Sequence, residues 1–295
     1  MKKLPLIGIS AVFGSIIGGY LLEHGNIYVL MQLAEYLIIG GAAVGSLLIM
    51  CPPNAFSEML RSIPAVFKGN RIDKNEYVNL LSFLYAIFMK ARKEGLLGIE
   101  RDIEDPEKSP LFKRDLEVLK ERHALDFICD NLRIIVLGIP PAELEQMMEL
   151  EMDTHHQESS VAPAIVAKVA DSLPGFGIVA AVLGVVITMG KMGESPEVIG
   201  HSVGAALVGT FLGILLCYGL VGPIGTQLEY RANEESKYLE AIRAALNAFA
   251  SGQQPQIAVE TARRVLFSDV RPSFTELENT VRGGSIADQV NSPTD

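Results

Sequence analysis

Four uncharged, strongly apolar stretches dominate the chain: residues 4 to 22, 36 to 57, 172 to 190, and 198 to 228, the last holding only His201 as a group that titrates near neutrality. About 20 consecutive apolar residues suffice to carry a helix across a bilayer, so the pattern predicts four transmembrane helices. The intervening segment is polar and helical in period. NEYVNLLSFLYAIFMKARKEG sets Tyr77, Leu80, Leu81, Leu84 and Ile87 three and four residues apart, which predicts an amphipathic helix ending at Gly95. A second helix is expected from about Pro110 to Gly138 and a third from about Pro141 to His156, where Pro140 and Pro141 suit a first turn and Glu143 and Glu145 suit the positive end of the helix dipole. Beyond the fourth span, EYRANEESKYLEAIRAALNAFASG continues it as a helix to Gly252, and QIAVETARRVL forms a short one. No strand alternation occurs, so the fold class is all-α.

The expected organisation is two spans in 1–53, a helical domain in 54–168, two spans in 169–228, a helical tail in 229–283, and a disordered end in 284–295, whose composition is polar and small. MKK followed by nineteen uncharged residues resembles a secretory leader, but the apolar core is too long for one and no small-x-small cleavage site follows Leu22. It reads as a retained first span. Lys and Arg mark the cytoplasmic side. Lys2 and Lys3 precede the first span, fifteen basic residues lie between Arg61 and Lys168, seven lie between Arg231 and Arg282, and only Lys191 falls elsewhere. Both termini and the large middle segment are therefore placed in the cytoplasm. The loops at 23–35 and 191–198 fall outside and are short.

The net charge of −10 is spread through stretches of mixed sign such as LFKRDLEVLKERHALDFICDNLR. That mixture predicts solvated helices with internal ion pairs and argues against a nucleic-acid surface, where basic residues cluster. Arg61, Lys68, Arg71 and Lys74 are placed to meet anionic lipid. Cys51, Cys129 and Cys217 form no CxxC pair and read as small core residues. Glu151 stands one helical turn before His155, but no further His or Cys lies near, so a metal site is not expected. No GxSxG, HExxH, Walker or dinucleotide fingerprint is present, and no enzyme is predicted.

The middles of the four spans hold no Asp, Glu, Lys or Arg, although ion paths in membranes are usually marked by such groups. A carboxylate proton relay is thus expected to come from another chain. Asp171 sits at the cytoplasmic mouth of the third span, either as a helix-end residue or as a group at the ion's way in. Small residues are abundant: Gly14, Gly18 and Gly19, the run Gly40 to Ser46, and Gly204, Ala205, Gly209 and Gly213 allow close helix contact, which predicts an oligomer. Pro174 and Pro223 each remove a backbone hydrogen bond near the cytoplasmic end of a span, as points of flexure or as fixed kinks.

ERDIEDPEKSPLF from Glu100, LDFICDNLR from Leu125, DSLPGFGIVAAVLGVV from Asp171, VGTFLGILLCYG from Val208 with Pro223 beyond, and IAVETARRVLFSDVRPSFTELE from Ile257 resemble the MotA family of flagellar motor stator subunits, over nearly the whole chain to about residue 283. The resemblance implies a ring of this subunit, a pentamer, around MotB, whose membrane helix brings the proton-accepting aspartate and whose outer domain grips peptidoglycan. It implies a bacterial inner-membrane location, with torque delivered to the rotor protein FliG. By the same resemblance Arg92 and Glu100 match the charged residues that face the rotor, Pro174 and Pro223 the family's two functional prolines, and Thr210 a hydroxyl lining the ion path. Ala181 stands where sodium-driven relatives carry threonine, which implies proton use; no cofactor is expected. The related ExbB and TolQ energy-transducing subunits are the alternative; they have fewer spans and lack the Arg92 to Glu100 segment.

Overall fold

The computed structural model describes residues 4–68, 72–113, 115–121 and 123–283, so the expected disordered end at 284–295 lies outside the described residues. The helices in chain order are α1 (Leu4–Leu22), α2 (Ile27–Leu30), α3 (Leu33–Met50), α4 (Pro53–Lys68), α5 (Lys74–Glu94), α6 (Glu100–Glu104), α7 (Leu116–Glu121), α8 (Ala124–Val136), α9 (Pro141–Met189), α10 (Pro196–Leu216), α11 (Gly222–Ala250), α12 (Pro255–Val265) and α13 (Phe274–Gly283). A 3-10 turn, Leu96–Ile99, precedes α6, and a π turn, Cys217–Val221, joins α10 to α11. The chain forms two compact units, one from Met1–Asn70 and Glu158–Ala232, the other from Arg71–Gln157 and Asn233–Asp295.

In the first unit four helical stretches are long and apolar enough to cross a membrane: Leu4–Leu22, Ile27–Met50, and segments of Pro141–Met189 and Pro196–Ala250. The second stretch differs from the expected 36–57. It ends at Met50 because Cys51 is extended and Pro52 and Pro53 follow; proline biases the residue before it away from helix and suits only a first turn. α4 then starts at Pro53 and lays Met59 and Val66 against Ala162, Val166 and Leu228.

The second unit is built on α5. Asp73 caps it by accepting from the Glu76 amide at 2.9 Å, and Gly95 ends it at φ 83°, a left-handed conformation that glycine adopts at least cost. Tyr77, Leu80, Leu81, Leu84 and Ile87 are all buried, as their spacing predicts, and they join Phe127, Ile128 and Leu132 of α8, Leu144 and Met148 of α9, and Tyr238, Ile242 and Leu246 of α11 in one core. Phe88 stacks on Phe249 at 4.3 Å between ring centres, and Phe83 meets Phe112 edge-on at 4.9 Å, both favoured aromatic geometries.

Two expected helices have different bounds. The segment from Pro110 to Gly138 is split, because His123 takes φ 54° and separates α7 from α8. The helix from Pro141 does not stop near His156: it runs on to Met189 through Pro163 and Pro174. A proline inside a helix forfeits only its own backbone bond when neighbours hold the rest of the turn in place.

The tail of the second unit is fastened by ion pairs. Ser273 and Glu276 form a capping box, Ser273 N–H to Glu276 at 2.6 Å and Glu276 N–H to Ser273 at 3.1 Å, and Lys74 donates to Glu276 at 2.7 Å. In α12, Glu260 accepts from Arg263 at 2.7 and 2.8 Å and from Arg264 at 2.9 Å. The Arg263 bonds foremost, with Arg264, hold the Glu260 pKa down at about 2. A carboxylate depressed in the folded state stabilises it above the ordinary carboxylate range and loses that effect as pH falls. Protection of α12 amides, corrected for intrinsic exchange, is therefore expected to drop as pH falls from 4.5 towards 2, and Glu260→Gln is expected to remove most of that dependence in hydrogen exchange on the full chain.

Candidate functional site: a glycine seam with a buried acid

α9 and α10 run antiparallel in the first unit, and glycine decides how near they come. A Cβ built on Gly177 would lie 2.7 Å from the Gly209 carbonyl oxygen, one on Gly213 would lie 2.5 Å from the Leu173 carbonyl oxygen, and one on Gly184 would lie 2.6 Å from the Ala206 Cβ. The two backbones are thus in direct contact along the seam. Leu173, Gly177, Ala180 and Gly184 of α9 meet, in turn, Gly213, Gly209 and Ala206 of α10. Small residues of this kind let helices approach where apolar side chains gain little by leaving lipid.

The seam orders several of the expected site residues. Asp171 is exposed at the start of the seam on α9. Pro174, half-buried, directly follows the carbonyl that packs on Gly213. Ala181, half-buried, sets its backbone nitrogen 3.1 Å from a Cβ built on Gly209. Thr210 follows Gly209 and is half-buried. Its hydroxyl forms no hydrogen bond among the described residues, whereas Thr188 and Thr226 return theirs to carbonyls one turn back, at 2.8 and 3.3 Å. Pro223 lies beyond the seam, exposed, just after the π turn. Proline cannot donate a backbone bond, and the wider π turn accommodates that loss without breaking the helix.

One residue of the seam escaped the sequence reading. Glu35, placed there in the outer loop, lies in the first turn of α3 and is 7% exposed. Its Oε2 has no hydrogen-bond partner among the described residues and sits 2.5 Å from where a Gly209 Cβ would be. The middles of the spans hold no acid, as their sequence shows, but an acid from the end of one helix still reaches the seam: Glu35 opens α3, and its carboxyl lies against Gly209 of α10. The signal was present. Glu35 is the only Asp, Glu, Lys or Arg between Glu23 and Glu58, and it shares a helix face with Ile39 and Ala43, four and eight residues on, both buried. Ending the span at the first charge hid it.

Other small residues named as packing positions stand open. Cβ atoms built on Gly14, Gly18, Gly19, Gly40, Gly41, Gly45 and Gly204 would meet nothing within 4 Å. Among the described residues no group of three or more His, Cys, Asp or Glu could hold a metal. The Cys129 thiol, buried in the core of the second unit, is pushed up to about 12 by burial and is correspondingly inert.

Arg92 and Glu100 belong to the second unit. Arg92 is in the last turn of α5 and Glu100 opens α6; both are exposed, and neither pairs with another described residue. Between them Leu97 is 74% exposed. Within these nine residues Arg92, Lys93 and Glu100 are exposed charges with no partner among the described residues, beside the apolar Leu97 side chain.

Residues 6–95 match the family model for the motility protein A N-terminal region, and residues 110–241 match that of the MotA/TolQ/ExbB proton channel family. The chain is similar to motility protein A of Escherichia coli (strain K12), 41% identical over 280 residues and covering 95% of both chains. It is similar to chemotaxis protein LafT of Vibrio parahaemolyticus, 35% identical over 273 residues, 92% of this chain and 96% of the relative. The flagellar MotAB stator complex from Bacillus subtilis superposes with a TM-score of 0.71 at 25% identity, over 88% of this chain and 93% of that one. C. jejuni MotAB gives 0.77 at 21% identity, over 93% and 100%, a likeness of fold.

The packing predicts an asymmetry between two glycines of α10. Gly209→Ala must displace Glu35, Ala180 or Ala181 and is expected to cost about 1–3 kcal/mol, as overpacking does, whereas Gly204→Ala, with open space around it, is expected to be near neutral. Thermal unfolding of the two purified variants in detergent measures the difference.

Proposed function

Since the chain belongs to the motility protein A family, within the MotA/TolQ/ExbB proton channels, and is thereby a flagellar stator subunit, we propose that it forms a pentameric ring around a MotB partner and turns proton flow into torque on the rotor protein FliG. The ring would sit in the bacterial inner membrane with both termini and the second unit in the cytoplasm, as the distribution of Lys and Arg favours. MotB would supply the aspartate that takes and releases the proton.

The observation that carries this reading is the Glu35 carboxyl held against Gly209, one residue from the uncommitted Thr210 hydroxyl. A carboxyl shut away from water with an unpartnered oxygen is costly. A proton, or a donor brought by another chain, relieves that cost. Thr210 can both donate and accept, so together the two groups offer a polar stepping place in an otherwise apolar seam. Ala181, on the facing helix, adds no oxygen with which to replace a sodium ion's hydration, which favours the proton as the ion carried. Pro174 in α9 and Pro223, in the first turn of α11 beyond the π turn that follows α10, are the points where packing would change when the partner's aspartate is neutralised. Asp171 would stand at the cytoplasmic end of the path.

Arg92 and Glu100 suit the rotor contact. Exposed charges contribute little binding energy singly but steer and align a partner, and an engagement that forms and releases repeatedly needs alignment more than affinity.

Three outcomes test the proposal in the assembled complex. Glu35→Gln is expected to cut proton flux by about tenfold while leaving membrane levels unchanged, since it keeps the size of the side chain and removes the exchangeable carboxyl proton. Motility is expected to persist when sodium is withdrawn; strict dependence on sodium would remove the assignment of the proton. Arg92→Glu and Glu100→Lys are each expected to lower torque without lowering proton flux, and normal swimming by both would sink the rotor assignment.

A further inference from the structure

Arg92 and Glu100 stand on different elements, and a buried polar cluster fixes those elements to each other. Lys90 Nζ donates to Asp102 Oδ2 at 2.6 Å, and Ser109 Oγ donates to Asp102 Oδ1 at 2.7 Å, so both carboxylate oxygens are engaged. The Asp102 side chain is 8% exposed and Ser109 is 5% exposed. Ser109 Oγ also accepts from the Leu111 amide at 3.2 Å, and Arg133 Nη2 donates to the Ile103 carbonyl at 2.7 Å, tying the same short helix to α8. Lys90 precedes Arg92 by two residues on α5, and Asp102 follows Glu100 by two residues on α6.

α6 has five residues, too few to hold its shape alone. Ile99 and Ile103 bury its apolar side, and an apolar residue in place of Asp102 would serve stability as well, because replacing a buried ion pair by apolar groups is often neutral or favourable. What the pair adds is direction. The Lys90 bond sets the separation of α6 from α5, and the Ser109 bond, which comes from the loop after α6, holds the same carboxylate in that orientation, and with it the spacing of Arg92 and Glu100. A surface loaded by a moving partner needs such a mount.

We infer that Lys90, Asp102 and Ser109 are positioning residues for the rotor-facing segment, holding Arg92 and Glu100 at the spacing at which they engage the rotor together. The inference rests on the reading of Arg92 and Glu100 as the rotor contact. Lys90 and Asp102 touch no partner themselves; they act through their neighbours in sequence.

The test is stall torque per stator unit in motile cells carrying the full complex, with proton flux and membrane level measured beside it. Asp102→Asn keeps the size of the side chain and removes its charge. It is expected to lower torque about threefold or more with flux and membrane level near parental values, and Lys90→Arg, which preserves the pair, is expected to stay close to parental torque. In a Glu100→Gln background that retains measurable torque, Asp102→Asn is expected to cost less than half as much, because one of the charges no longer needs placing. An equal fold-loss in both backgrounds would mean that Asp102 only supports the fold, and an unchanged torque would likewise overturn the inference. If Asp102→Asn does not reach the membrane, Ser109→Ala, which leaves the ion pair intact, is expected to give a smaller loss with the same dependence on Glu100, and independence from Glu100 refutes the role. Parental torque in both Arg92→Gln and Glu100→Gln would remove the rotor contact and the positioning role together; a loss in those two alone would leave the contact standing without this mount.

Discussion

The membrane unit depends on the approach of two backbones. Inside lipid an apolar side chain gains little by turning towards protein, so helices associate through close contact and through whatever polar groups they can bring together. Gly177, Gly209 and Gly213 supply that contact by having no Cβ: each would drive an added carbon to within about 3 Å of backbone on the facing helix. Once the register of α9 against α10 is set by those glycines, Ala181 and Thr210 are set near the same level, and a gap remains at Gly209 into which α3 delivers the Glu35 carboxyl.

That dependence explains why a carboxyl can be kept in so poor a solvent. Glycine at 209 leaves room for an oxygen that no other described residue satisfies, and a side chain there would have to expel it. The cost of an orphaned polar group is retained where another chain, or a mobile proton, relieves it for part of a cycle. A neighbouring hydroxyl with no bond to a described residue, on Thr210, lies in the next position. Strain and vacancy in hydrogen bonding collect at one level of the seam, while Thr188 and Thr226, above and below, are committed to their own helix.

Legibility in the sequence followed the solvent. Lipid imposes a length and a composition, so the four spans were readable from apolar runs alone, and the core face of α5 was readable from its spacing. The bounds failed wherever one local rule was asked to decide. The first charge is a poor end for the second span, because Glu35 lies inside its helix; the helix from Pro141 passes His156 unbroken to Met189; and the left-handed residue at His123 leaves no mark in the sequence, since periodicity is blind to a single backbone turn. Arg92, Glu100, Ala181 and Thr210 came from family resemblance, and no spacing in the sequence marks them. Their surroundings were less accessible still: that Asp102 is buried between Lys90 and Ser109, or that Gly177 rather than Gly18 is the tight glycine, depends on which faces meet.

The two units solve opposite problems with the same residue types. In the second unit water makes apolar burial favourable, and Tyr77, Phe88, Phe249 and their neighbours close a core without help from charge. Charges there are free to serve geometry: Asp102, held by Lys90 and Ser109, ties α6 to α5, and Glu260, held by Arg263 and Arg264, braces its own helix α12. In the membrane unit apolar burial gives little, glycine gives contact, and a charge-bearing group is expensive wherever it lies. On the proposed reading, a signal carried by protonation would have its largest effect on packing in the membrane unit, at Glu35 and the acid the partner would add, whereas a signal carried by alignment of charges would have its most dependable mount in the second, at Arg92 and Glu100.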